Sequence, residues 1–182
     1  MTVVRATACL ALAGATAGTL LDVIHVRTGT TAYAAPAFAG LAWWVPALFA
    51  AAGVAIGLSH AGLERALDVR RAAPTPPALL AGLAILGLAW VASGALPCAY
   101  ATTGLVLAAV AVGVWWTLDR TALGVVLAVA TAAVGTGVEA ALAHAGVFHY
   151  LRPDMGPVAS WLPWLYVVAS VTVGNLGRAL WR

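Results

Sequence analysis

Six apolar stretches, at about residues 3–25, 41–60, 78–97, 101–118, 122–143 and 158–180, take up most of the 182-residue chain. Each is long enough to cross a hydrocarbon layer of ~30 Å as a helix. Lipid offers no partner to a backbone N–H or C=O, so a spanning segment satisfies these groups within itself or in a closed barrel. The stretches lack period-two alternation and exceed the ~10 residues of a barrel strand. The predicted fold is therefore an all-α integral membrane protein, a six-transmembrane-helix bundle forming one domain over residues 1–182. With 63% hydrophobic and 8% charged residues, the chain has too little polar surface to cover a water-soluble globule.

All nine basic residues are arginines, and positively charged loops are retained on the cytoplasmic side. Arg5, Arg65, Arg70, Arg71, Arg120, Arg178 and Arg182 fall on one side of the predicted bundle, and only Arg27 and Arg152 on the other. Both termini are predicted to be cytoplasmic. The same scatter gives no continuous basic face, which argues against a nucleic-acid partner. The lack of lysine and the abundance of alanine match coding from a high-GC bacterial genome, and the expected location is then the bacterial plasma membrane. The opening "VVRATACLALAGATAG" also has the arginine, apolar core and small residues of a secretory signal, whose removal would leave five helices. Helix one is kept in the six-helix reading.

The one long hydrophilic stretch, "HAGLERALDVRRAAPTPP" (60–77), predicts a short interfacial helix over 63–71, stopped by the prolines. No repeat of fixed period is evident. Seven of the eight tryptophans fall at helix ends, as in an aromatic belt, and Trp90 falls in the middle of helix three. Gly14 with Gly18, and Gly53 with Gly57, are small-xxx-small pairs that predict close packing inside the bundle in preference to a self-association surface. A homo-oligomer stays open. Cys9 and Cys98, too far apart along the membrane normal to bridge, read as free, buried thiols.

Ionisable side chains at membrane depth are costly and need a partner or a use. Asp22 and Glu139 are the two candidates, each within about two turns of the outer surface, with His25, His144 and His149 in neighbouring segments. Asp22-x-x-His25 places two ligands on one helix face, but no motif completes a zinc set, so the prediction is a polar cluster near the headgroups and no metal. Glu139, with Gly135 and Gly137 leaving room beside it, is expected to be neutral or paired. No Gly-x-Ser-x-Gly, phosphate loop or glycosidase-like carboxylate pair is present, so no catalytic residue is identified and the chain reads as a non-enzyme. A small proton- or cation-coupled transporter using Glu139 and Asp22 as relays is the first alternative, and a membrane-embedded hydrolase or transferase using the outer His and Asp residues is the third reading.

Four blocks carry a resemblance: "WWVP" (43–46), "WWTLDRT" (115–121), "AGVFHYLRPDM" (145–155) and "SWLPWLYVVASVTVGNLGRAL" (160–180). In this order and spacing they resemble the Insig family of six-helix sterol-response proteins. Eukaryotic members sit in the endoplasmic reticulum membrane, bind oxysterols, and retain the escort protein Scap or promote degradation of HMG-CoA reductase. The resemblance implies a lipid sensor or regulatory scaffold with a bound lipid and no cofactor, the lipid being sterol- or oxysterol-like or diacylglycerol-like. The abundance of alanine and glycine, which leave volume unfilled, together with family positions near Ile85, Thr102 and Val106, predicts a cavity lined from helices two to five, with Phe49, Ile85, Thr102, Val106 and Glu139 as lipid-binding positions at or near its wall. Thr102 stands where the family carries a glutamine, and the family's helix-three aromatic falls near Ile85. Asp119 matches an acid needed for partner binding on the cytoplasmic side. Read from the residues alone, Asp119 also predicts a cap for helix five through its first-turn amides, with Trp115 and Trp116 buried at the boundary, and both readings stay open.

Overall fold

The computed structural model describes residues 1–69, 71–72 and 74–181; Arg70 and Arg182 of the arginine count lie outside the described residues. Six long helices form the bundle: α1 (Val3–Arg27), α2 (Val45–Ala66), α3 (Pro76–Ala95), α4 (Tyr100–Leu118), α5 (Ala122–His144) and α6 (Leu162–Leu180). The first five are long and apolar enough to cross a membrane by length and composition. Helix α6 is the central one, packed against α2, α3, α4 and α5. Its buried Ser170, Thr172, Asn175 and Arg178 face other helices, so its polar groups find protein partners and cost little at that depth.

Helix α1 is continuous but winds through a π-helical turn at Gly14–Gly18. A Cβ on Gly14 would collide with the Phe49 carbonyl, and one on Gly53 would stand 2.9 Å from the Leu10 carbonyl oxygen. The small-xxx-small pairs thus serve packing of α1 on α2, inside one chain. Helix α2 starts later than residue 41 because Ala37 and Phe38 both donate to the Leu41 carbonyl, forming a tight turn before Pro46 enters the first helical turn.

Two expectations are corrected here. The interfacial helix over 63–71 does not form: residues 63–66 extend α2, Asp68 turns left-handed (φ 49°), and Arg71 lies outside any helix, held by side chains described below. Cys9 and Cys98 are free but exposed, on the outer surface of the bundle.

The third correction concerns internal repetition. The loop after α1 carries β1 (Thr31–Tyr33) and the loop after α5 carries β2 (Phe148–Tyr150), and the two pair antiparallel. The register sets Ala32 opposite His149, Thr31 opposite Tyr150 and Tyr33 opposite Phe148. These loops are equivalent residue by residue at a constant offset of 117 (33 and 150, 46 and 163). Gly29 and Gly146 share a positive φ of 69° and 70°. The bridge between Phe38 and Leu41 recurs between Met155 and Val158. The bonds Ala34 N–H to Val147 O and Leu151 N–H to Thr30 O are exchanged between halves, as in a two-fold dimer. Helices α1 and α2 with their loop, and α5 and α6 with theirs, are therefore two copies of one unit about a pseudo-two-fold axis, with α3 and α4 inserted between them. Seven residues mark it in sequence: Gly29, Tyr33, Pro36, Ala42, Trp44, Pro46 and Leu48 recur as Gly146, Tyr150, Pro153, Ala159, Trp161, Pro163 and Leu165.

Candidate functional site

The repeat brings two carboxylates to the same end of the bundle, beneath the β1/β2 pair. Tyr33 donates its hydroxyl to Asp22 Oδ2 at 2.5 Å, and Tyr150, its repeat equivalent, donates to Glu139 Oε2 at 2.5 Å. Glu139 also accepts from Tyr166 at 2.6 Å. Burial, and then the facing carboxylate, push the phenols of the loop residues Tyr33 and Tyr150 well above the usual range, so both remain donors at neutral pH. Glu139 is thus paired, as a carboxylate at this depth has to be.

His25 joins the cluster from α1. Its Nδ1 lies 4.0 Å from Asp22 Oδ1, its Nε2 lies 2.9 Å from Ser93 Oγ, and its ring stacks on Trp90 at 5.3 Å. Ser93 donates its single hydroxyl hydrogen to the Trp90 carbonyl at 2.8 Å. With that assignment His25 Nε2–H donates to Ser93, and Nδ1 is left as an acceptor. His144 and His149 are exposed and do not join. Among the described residues no group of three or more His, Cys, Asp and Glu side chains could hold a metal ion.

These groups close one end of a cavity of about 530 Å³. The rest of its wall is mostly apolar, with Leu10 and Gly14 of α1, Ala52 and Ile56 of α2, Leu86 of α3, Leu127 and Val134 of α5, and Leu165 of α6, interrupted by Ser59 and Thr131. Val134 and Val138 line it while remaining exposed, marking where it opens at the surface of the bundle. Two polar atoms at this wall, Trp90 Nε1 and Thr31 Oγ1, have no hydrogen-bond partner among the described residues.

Of the five positions expected at a lipid site, Phe49 and Glu139 line this cavity. Ile85 is half-buried against the core of the bundle, and Thr102 and Val106 are exposed on α4. Helix α4 contributes nothing to the wall, and α1 and α6 contribute where the expectation had helices two to five. The cause is the repeat: the cavity lies between its two copies, whereas α4 packs outside, against α3 and α6. Sequence reading missed Tyr33, Tyr150, Tyr166 and Trp90. The recurring Tyr33 and Tyr150, each eleven residues after an acid, were the available signal.

At the end that carries both termini lies a second, largely buried network. Glu64 accepts from Arg71 at 2.7 Å and from Arg178 at 2.6 Å, and Arg71 reaches Asp119 Oδ2 at 3.1 Å. Arg71 also donates to the carbonyls of Leu118 and Asp119, and Arg178 to Asn175 Oδ1 and the Ala72 carbonyl. The Asp119 side chain has 0% exposure. Its Oδ1 accepts from the N–H and hydroxyl of Thr121, at 3.0 and 2.5 Å. Thr121, not Asp119, is the N-cap of α5, accepting from Gly124 N–H at 2.9 Å. Asp119 therefore acts one residue removed, by orienting the cap. Trp115 is half-buried and donates to the Thr121 carbonyl, whereas Trp116 is 58% exposed beneath the Arg120 guanidinium at 5.0 Å. Asp119→Asn is expected to lower stability by about 1–3 kcal/mol without unfolding the bundle, since Arg71 keeps Glu64 and two carbonyls. Thermal unfolding in detergent measures it.

Six long helices, five of them long and apolar enough to cross a membrane, around a largely apolar cavity with its carboxylates at one end define an all-α integral membrane protein. The chain belongs to the Insig family. The insulin-induced protein (INSIG) family profile matches residues 91–181. Insulin-induced gene 1 protein of Gallus gallus is 30% identical over 182 residues, covering 97% of this chain and 72% of its own, and the Danio rerio protein is 30% identical over 176 residues, covering 94% and 70%. A crystal structure of a mycobacterial Insig homolog from Mycobacterium vanbaalenii superposes with a TM-score of 0.85 at 30% identity, covering 97% of this chain and 94% of that one. A cross-linked trimer of the mycobacterial protein matches equally, at 31% identity.

Proposed function

We propose that this Insig-family membrane protein binds a lipid in the cavity between its two repeats and acts as a lipid sensor or regulatory scaffold, without catalysing a reaction. The observation that carries the reading is the 530 Å³ cavity, mostly apolar along the helices and with its carboxylates at one end, which suits an amphipathic lipid of sterol, oxysterol or diacylglycerol type. Orientation follows the arginine bias, with both termini cytoplasmic and the polar cluster toward the outer leaflet of a bacterial plasma membrane. A membrane-protein partner on the cytoplasmic side would touch the exposed Trp116 and Arg120, while Asp119 holds the turn that displays them. Self-association, of the kind seen in the cross-linked mycobacterial relative, is a further expectation for this chain.

Native mass spectrometry of gently purified protein tests the reading. A lipid is expected to be retained, and Ala52→Trp, which fills the wall of the cavity, is expected to release it. If no lipid is retained, or if the tryptophan variant holds as much as the parent, the reading fails.

The repeat favours a second reading. Transporters are often built from repeats with ion sites at the repeat interface, and Asp22 and Glu139 occupy equivalent places there. Proton or cation flux into proteoliposomes that is lost in Glu139→Gln would select this reading over the first.

A further inference from the structure

The two halves of the cluster are equivalent in backbone but differ in the number of phenols that reach the carboxylate. Glu139 accepts from two phenols, Tyr150 and Tyr166. The equivalents of these tyrosines beside Asp22 are Tyr33 and Phe49. Tyr166 packs its ring on Gly135, and Phe49 packs its ring on Gly18, the glycine equivalent to Gly135. Phenylalanine has no hydroxyl, so Asp22 receives one phenol where Glu139 receives two. Asp22 Oδ1 is left facing His25 Nδ1 at 4.0 Å, beyond hydrogen-bond range.

Buried polar atoms without a partner among the described residues occur in both copies, Thr19 and Thr31 in one and Thr136 and Trp161 in the other, but those that line the cavity, Thr31 and Trp90, are both on the Asp22 side. Thr31, only 3% exposed, and Trp90 each present a polar atom with no hydrogen-bond partner among the described residues. Trp90 stacks on the same His25 ring and carries a donor, Nε1–H. All four side chains, Asp22, His25, Thr31 and Trp90, line the cavity. An uncompensated buried polar group is costly, and the cost is relieved by a molecule supplying the missing partner. The set contains a carboxylate oxygen without a donor and an indole N–H without an acceptor, and a hydroxyl group carries both complementary functions. An anionic head would be repelled by the carboxylates of the cluster, and a hydroxyl capped as an ester loses the hydrogen that Asp22 requires.

We propose that the Asp22 half of the cluster is the head-group subsite, and that it takes the free hydroxyl of a neutral lipid alcohol, which donates to Asp22 Oδ1 and accepts from Trp90 Nε1–H in the role that the Tyr166 hydroxyl plays toward Glu139. The assignment rests on the lipid-binding reading above and deepens it. The asymmetry between Phe49 and Tyr166 makes one carboxylate of a duplicated site the ligand's and leaves the other, Glu139, satisfied on both oxygens within the protein.

Tryptophan-fluorescence titration of the full chain in detergent tests this, with 1,2-dioctanoylglycerol and its 3-acetate as the two probes. The free alcohol is expected to bind at least ~10-fold more tightly than the ester, the effect of a hydrogen bond to a charged acceptor. Phe49→Tyr supplies the missing phenol to Asp22 and is expected to bring the ratio to within about 2-fold. Asp22→Asn, a smaller perturbation of packing, is expected to reduce it as well. Tyr166→Phe changes the other half and is expected to keep the preference. Equal affinity of the parent for alcohol and ester overturns the assignment while lipid binding stands, and so does a ratio that falls as far in Tyr166→Phe as in Phe49→Tyr. If neither probe binds, both the assignment and the lipid reading fall.

Discussion

A Gly177→Val variant is expected not to accumulate as a folded, monodisperse protein. A Cβ at Gly177 would fall on the backbone of Gly57, so α6 could not lie against α2 without moving. The obstacle is main chain, which no rotamer change relieves. This contact is at the pseudo-two-fold axis, where α2 and its repeat equivalent α6 meet, and displacement there separates the two halves of the cavity. Over-packing typically costs about 1–3 kcal/mol where side chains can yield, and more is expected where they cannot. Gly113→Ala is the control: nothing lies within 4 Å of its Cβ, and removing a helical glycine is expected to stabilise by up to about 1 kcal/mol. Size-exclusion profiles and thermal unfolding of the two variants in one detergent measure the contrast. A folded Gly177→Val protein with the stability of the parent would show that the α2/α6 crossing is not the close backbone contact described.

The second large effect is expected at Glu64. Its carboxylate is the shared partner of Arg71 and Arg178, whose side chains are 13% and 6% exposed. Breaking a buried ion pair by removing one partner costs about 3–5 kcal/mol, because the remaining charge is left desolvated and uncompensated. Arg71 retains Asp119, so the loss in Glu64→Gln is expected to fall mainly on Arg178 and the C-terminal turn of α6. The double variant Glu64→Gln with Arg178→Leu is expected to recover most of the stability, since an apolar replacement of a buried pair is often near neutral. A double-mutant cycle on unfolding midpoints separates this from a surface effect: additive losses would mean that the two residues do not act as a pair.

The candidate site was legible only in part. Asp22 and Glu139 stood out because an acid at membrane depth is conspicuous by itself, and that judgement needs no knowledge of its neighbours. Their tyrosines did not, because a tyrosine near a helix end is ordinary. Asp119 read as a cap because it precedes a helix, yet Thr121 holds that place and Asp119 sits behind it. Arg71, distant in sequence and expected in an interfacial helix, is what encloses the carboxylate. The repeat escaped notice because the identities within its helices, such as Leu10 with Leu127, Ala52 with Ala169 and Gly57 with Gly174, fall on small and apolar residues that recur throughout this chain.

The number and order of the helices were determined by the sequence alone, because crossing hydrocarbon is a condition each segment meets or fails by itself. So were the proline-started helices at Pro46 and Pro163 and the need for partners at Asp22 and Glu139. Membership of the Insig family was carried by short ordered blocks for the same reason, since each is a local feature. Which faces of the helices meet was decided only by the tertiary structure. Lipid is as apolar as leucine, so hydropathy does not distinguish a lipid-facing position from a cavity wall, and helix association turns on where small residues let backbones close up. That placed the cavity between the two repeats, excluded α4 with Thr102 and Val106 from its wall, and left Asp22 one hydroxyl short of its twin.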